Sequence, residues 1–112
     1  MNVFRGDVWD VVFPQLIGAR PCVVLTTNVL INRLGAITIA EVTGTEGPAS
    51  THVELGDEAG LTGRDRSWVD ATGLHTVPKG KLRRHRGRLA PEELHRVAEA
   101  LRDYLDLDDD RC

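Results

Sequence analysis

Aromatic residues are scarce: two Phe, two Trp and one Tyr make up 4% of the 112 residues. A protein that holds bases mainly by stacking needs more rings than this. Cysteine is nearly absent too, with Cys22 inside an apolar run and Cys112 at the last position. Two cysteines so placed give no disulfide framework, and a buried Cys22 is a small hydrophobe rather than a reactive group. A Cys22–Cys112 disulfide is therefore not expected. Four scattered histidines with no zinc-ligand spacing argue against a structural metal. No apolar run nears the roughly 20 residues of a transmembrane helix, and Met1–Asp7 lacks the basic-then-apolar pattern of a secretory signal. These absences lead to the expectation of a single cytoplasmic domain spanning 1–112, with an acidic tail from about 106.

Catalytic signatures are missing as well. The chain has no phosphate-binding glycine loop, no His-Glu-x-x-His pair and no nucleophile elbow. Any chemistry must come from Arg, His, Thr and backbone groups. The net charge of −3 argues against an indiscriminate nucleic-acid binder, which would be basic overall. The charge is unevenly spread, however. Lys79 to Arg88 packs six fixed positive charges and a histidine into ten residues. Such a run either holds phosphates or forms a solvated hairpin that balances the acidic C-terminus.

Apolar runs of strand length are what the chain does have. Asp7–Phe13, Pro21–Thr26, Ala36–Thr43, Thr51–Leu55 and Ser67–Thr72 read as strands, and Leu74–Val77 continues the last after a bend at Gly73. In the third, Ile37, Ile39 and Glu41 alternate with Ala36, Thr38 and Ala40, giving two faces of different character. Asn28 is placed to cap one short helical turn. Gly44–Ser50 has the composition of a surface loop. Pro91, followed by Glu92 and Glu93, opens a C-terminal helix whose stripe is Leu94, Val97, Ala98, Leu101, Tyr104 and Leu105. Ala90 stands where Ser or Thr would cap better. Short strands at this spacing predict a mainly β fold, a small antiparallel barrel.

The order of these segments resembles the MazF/PemK toxins. Arg5-Gly6-Asp7-Val8-Trp9 is similar to the family's opening strand, and Ala19-Arg20-Pro21-Cys22-Val23-Val24-Leu25 to its second, which carries an Arg-Pro pair. Asn32-Arg33, Glu41-Val42-Thr43, Thr51-His52-Val53-Glu54-Leu55, Leu74-His75-Thr76-Val77-Pro78-Lys79 and Gly87-Arg88-Leu89-Ala90-Pro91-Glu92-Glu93 follow in family order. The resemblance covers nearly the whole chain, from Arg5 to about Leu105.

The resemblance implies an SH3-like barrel, a two-fold homodimer and single-stranded RNA in a groove made by both subunits. It implies the toxin of a type II toxin–antitoxin system, neutralised by a cognate antitoxin and working without cofactor or metal. The RNA's 2′-hydroxyl attacks the adjacent phosphate, leaving 2′,3′-cyclic phosphate and 5′-hydroxyl ends. Arg20 matches the family's catalytic arginine, and a guanidinium suits a phosphate because it stays charged and offers two parallel donors. Its structural alternative is a strand-end arginine held by an acid such as Asp10. Thr43 matches a family threonine facing the scissile phosphate; otherwise it is a turn former.

Many members carry Arg-x-Asp or an acid-Gln pair near positions 70 to 73, where this chain has Asp70-Ala71-Thr72-Gly73. The general base and acid therefore do not transfer. Asp70 and Thr72 stay candidate RNA contacts, with Asp70 open as a general base or as a solvated strand residue. His75 can titrate near neutral pH or be an ordinary strand residue. Gln15, in a loop with Leu16 and Ile17 that covers the family groove, and Gly44 complete the RNA-facing set. Lys79 and Lys81 join it as phosphate contacts, although their basic run suits an acidic antitoxin tail equally well. Two readings compete: a CcdB-like gyrase poison sharing the fold without the arginine chemistry, and an SH3-like RNA-binding or interaction module without activity.

Overall fold

The computed structural model describes residues 2–15, 18–61 and 65–107. Six strands form one antiparallel sheet: β1 Asp7–Val12, β2 Ala19–Val24, β3 Ala36–Thr43, β4 His52–Glu54, β5 Trp68–Pro78 and β6 Leu82–Arg88. Their order is β4-β5-β3-β2-β1-β6. Helix α1 is a single turn at Asn28–Ile31, and α2 spans Pro91–Tyr104. Among the described residues no helix is long and apolar enough to cross a membrane.

Period-two alternation sends successive side chains to opposite faces of the sheet, and here both faces are covered. Val8, Val23, Ala40, Val42, Val53 and Val69 meet Val97 and Ala100 of α2 on one face. Trp9, Val11, Cys22, Val24, Ile37, Ile39, Val77 and Leu82 form the second core on the other, with Ile31 of α1. Two apolar layers on one sheet explain why the strand sequences are so continuously hydrophobic.

The expected strands are present with small shifts at their ends, and a sixth adds to them. Leu82–Arg88 forms β6, which pairs with β1, where a charged hairpin was one expected reading of the basic run. Its one fully buried side chain is Leu82, so the sequence offers almost no apolar alternation; an edge strand tolerates, and benefits from, such charge. The sheet is open rather than closed, with β4 and β6 at its two edges. The 3-10 turn Asp57–Ala59 leaves β4 and lies against β6. There a Cβ on Gly60, at φ +73°, would come within 1.8 Å of the Arg86 carbonyl oxygen, and one on Gly87 within 2.3 Å of the Glu58 carbonyl oxygen. Only glycine lets the two backbones approach this closely.

Helix α1 starts one residue earlier than the capping argument had it. Thr27 is the flanking residue, without a side-chain cap, while Asn28 Oδ1 accepts the Arg5 amide at 2.7 Å. At α2, Ala90 supplies no capping oxygen, but Glu93 reaches back to accept the Ala90 amide at 2.8 Å. Its other oxygen accepts the Gly56 amide at 2.6 Å. Of the predicted stripe Val97 is buried, Leu94, Ala98 and Leu101 are half-buried, and Tyr104 and Leu105 are about half exposed, while Ala100, outside the stripe, is buried as well. A helix of 14 residues runs about 21 Å, and β4 beneath it spans only about 10 Å, so the last turn overhangs.

Candidate active site

Arg20 lies near the start of β2, where alternation places it on the same face as Cys22 and Val24. Cys22 pairs with Glu41 across β2 and β3, and two residues beyond that pair come Arg20 on one strand and Thr43 on the other. An Arg20 guanidinium nitrogen stands 3.8 Å from Glu41 Oε1, with the arginine side chain 43% exposed. This distance is a loose Coulombic contact, not a hydrogen bond. Asp10, the expected alternative anchor, is not its partner: Arg86 holds Asp10 with contacts of 3.1 and 3.2 Å.

Glu41 is the residue sequence reasoning passed over. Its Oε2 lies 2.6 Å from His75 Nε2, so one carboxylate faces both the guanidinium and an imidazole. Ile39 pairs with His75 across β3 and β5, which makes Glu41 a diagonal neighbour of His75 on the same face. Phe13, expected in the core and buried there, also lays its ring 4.8 Å from the His75 ring at 59°. The available signal for Glu41 was an acid continuing the face of Ile37 and Ile39.

The other predicted residues divide into separate places. Thr43 Oγ1 accepts the Thr45 amide at 3.1 Å, the turn-forming arrangement, at the same strand end as Arg20; Gly44 is exposed in that bend. Gln15 is exposed in the turn after β1, and Leu16 and Ile17 lie outside the described residues. β5 bulges between its pairings with Ala40 and Val42. In that excursion Asp70 Oδ1 accepts the Thr72 amide at 2.9 Å and the Thr72 hydroxyl at 2.7 Å, while Asp70 Oδ2 stands 3.9 Å from His52 Nε2. Asp70 and Thr72 thus satisfy each other in a local turn.

The lysines sit at the far end of β5. Lys79 follows His75 by four residues, about 13 Å along an extended strand, and donates to the Ile31 carbonyl at 2.8 Å. It thereby closes the C-terminal turn of α1, and the structure does not bring it together with Arg20. Lys81 is half-buried on the following 3-10 turn. Much of the basic run is internally paired: Arg86 with Asp10, and Arg88 with Asp7 at 2.8 Å. A cleft of about 320 Å³ between β4 and α2 is lined by Glu54, Glu99, Asp103, Arg96 and His52 among others. Three acids against one arginine suit it poorly to phosphate.

The family model of PemK-like, MazF-like toxins of type II toxin–antitoxin systems matches residues 4–105. The chain belongs to this family. Among curated PemK/MazF proteins, the probable endoribonuclease MazF2 of Mycobacterium tuberculosis is 32% identical over 98 residues, covering 88% of this chain and 93% of that protein. Endoribonuclease MazF3 of the same species is 33% identical over 94 residues, with coverage of 84% and 89%. Among solved structures, an endoribonuclease in complex with its cognate antitoxin from a Mycobacterial species shares the fold, with a TM-score of 0.83 at 24% identity over 96% of this chain and 98% of that one. The Mycobacterium tuberculosis toxin MazF-mt6 superposes with a TM-score of 0.77 at 30% identity, covering 91% and 98%. The PemK/MazF fold therefore accounts for the open sheet and its C-terminal helix.

Proposed function

We propose that this PemK/MazF toxin is an endoribonuclease that cuts single-stranded RNA at preferred sequences, without a metal ion, and so arrests translation and growth. The RNA's own 2′-hydroxyl attacks the neighbouring phosphorus; an O2′–P bond forms as the P–O5′ bond breaks. The products are a 2′,3′-cyclic phosphate and a 5′-hydroxyl end. Arg20 stabilises the extra negative charge on the five-coordinate phosphorus. Thr43, at the adjoining strand end, and Gly44 line the same phosphate. Gln15, Asp70, Thr72 and Lys81 contact the flanking nucleotides, with Lys79 holding α1 in place beside them. Two copies join about a two-fold axis to complete the groove, and a cognate antitoxin covers it in the cytoplasm.

The observation that carries this reading is the exposed Arg20 guanidinium, which among the described residues makes no closer side-chain contact than the 3.8 Å approach to Glu41 and so can turn to a phosphate. The two endoribonuclease relatives supply the substrate class. The test is incubation of pure protein with total RNA in excess EDTA, followed by mapping of the cut ends. New 5′-hydroxyl ends at recurring sequences are expected, and Arg20→Ala should slow cutting by about 10² to 10³. Intact RNA together with DNA gyrase inhibition would favour the CcdB-like alternative, and intact RNA without it a catalytically silent module.

A further inference from the structure

Three neighbours restrain the His75 imidazole and its partner. Glu41 Oε2 contacts Nε2 at 2.6 Å, and Phe13 packs on the ring at 4.8 Å. Behind the carboxylate, a Cβ at Gly73 would meet Glu41 Cβ at 3.3 Å and Oε2 at 3.4 Å, so glycine there leaves the acid its room. An ionised carboxylate only accepts hydrogen bonds, so in the neutral imidazole Nε2 carries the proton and Nδ1 the free lone pair. The imidazole is 39% exposed, enough to reach a bound strand.

A carboxylate beside a phosphate site weakens anion binding. A surface selected only to hold RNA next to Arg20 would do better without Glu41. An acid that fixes the tautomer and orientation of a proton-accepting imidazole does have a use there. We propose that His75 is the general base of the cleavage and Glu41 the positioning residue that aims it, an inference that rests on the ribonuclease reading.

In the step, Nδ1 takes the proton of the 2′-hydroxyl as the O2′–P bond forms and the P–O5′ bond breaks. The departing O5′ takes a proton from water, and the resulting hydroxide removes the proton from the imidazolium. No net proton is gained or lost. Among the described residues the charged groups around the imidazole are Glu41 on β3 and Arg20 beyond it on β2. Asp10 with Arg86 stands farther off across β1 and β6, and Asp70 on the β5 bulge.

The test measures kcat and KM against pH, on an oligonucleotide containing a site mapped in total RNA, for wild type, His75→Gln and Glu41→Gln. Expected for His75→Gln is a fall in kcat of about 10² to 10⁴, with KM within about twofold and the acid limb of the pH profile gone. Glu41→Gln should cut more slowly through kcat, with KM unchanged or lower, because the imidazole is no longer aimed while an anion meets less repulsion. This split between kcat and KM reads the aiming of the imidazole in an intact protein even if His75 variants fold poorly. A His75→Gln variant that keeps wild-type kcat and its acid limb would overturn the inference while leaving the ribonuclease reading standing. So would a Glu41→Gln variant that cuts faster than wild type, since the acid would then be a brake on phosphate binding. A wild-type protein that leaves RNA uncut overturns both.

Discussion

Cys22 has no exposed surface, although it lies on the same strand face as Arg20. Burial, then the charge of Glu41, pushes its thiol up from 9.0 to about 12, with Asp10 adding to the rise and Arg20 opposing it. The protonated thiol belongs to the folded state. Its stabilising effect is complete below pH 9 and is lost as pH rises toward about 12, because the unfolded chain ionises first. The urea midpoint should accordingly fall between pH 9 and 11, and fall less in Cys22→Ala. At pH 8, iodoacetamide should leave Cys22 unmodified in the native protein and label it in urea, as read by peptide mass. Arg20 could be singled out as a candidate at this scale because the contiguous segment Ala19-Arg20-Pro21 resembles the opening of the family's second strand. Glu41–His75 was not, since the partners are 34 residues apart and their meeting depends on the β3–β5 register. The Asp70–Thr72 turn shows the converse, a pair of polar residues that satisfies itself within two positions.

At the scale of elements, β3 could be read to the residue because its apolar residues serve both faces in turn, Ile37 and Ile39 in one core and Ala40 and Val42 in the other. β6 could not, because four of its seven residues are arginines and the apolar face it needs is reduced to Leu82. What fixes this strand is tertiary: pairing with β1 and the close approach of the Asp57–Ala59 turn at Gly60 and Gly87. Gly87→Ala should destabilise the protein by about 3 kcal/mol, since backbone and not a flexible side chain blocks the new methyl. Thermal unfolding would measure it, and a loss below about 0.5 kcal/mol would show that the seam can move apart cheaply. The bulge in β5 was signalled by Gly73, but its size and its role in seating Glu41 depend on the strand alongside.

Across the whole molecule, one sheet separates two cores, and α2 is attached to the first of them partly through a buried acid. Glu93 ties the start of α2 to the turn after β4 by accepting both the Ala90 and Gly56 amides. Glu93→Ala leaves both donors unpaired, and charge-assisted bonds of this kind contribute about 1.5 to 3 kcal/mol each. A loss of about 3 kcal/mol, or more than about 10 °C in Tm for a domain of this size, is expected by calorimetry. RNA cutting below the melting range should persist, since Glu93 is remote from Arg20 in the fold. The same architecture bears on self-association. Among the described residues every interior strand has a neighbour on each side, leaving as rims a three-residue strand and a cationic one. Neither is a usable template for stacking foreign strands edge to edge, so the folded toxin is guarded against fibril growth at just the two positions where an open sheet is vulnerable.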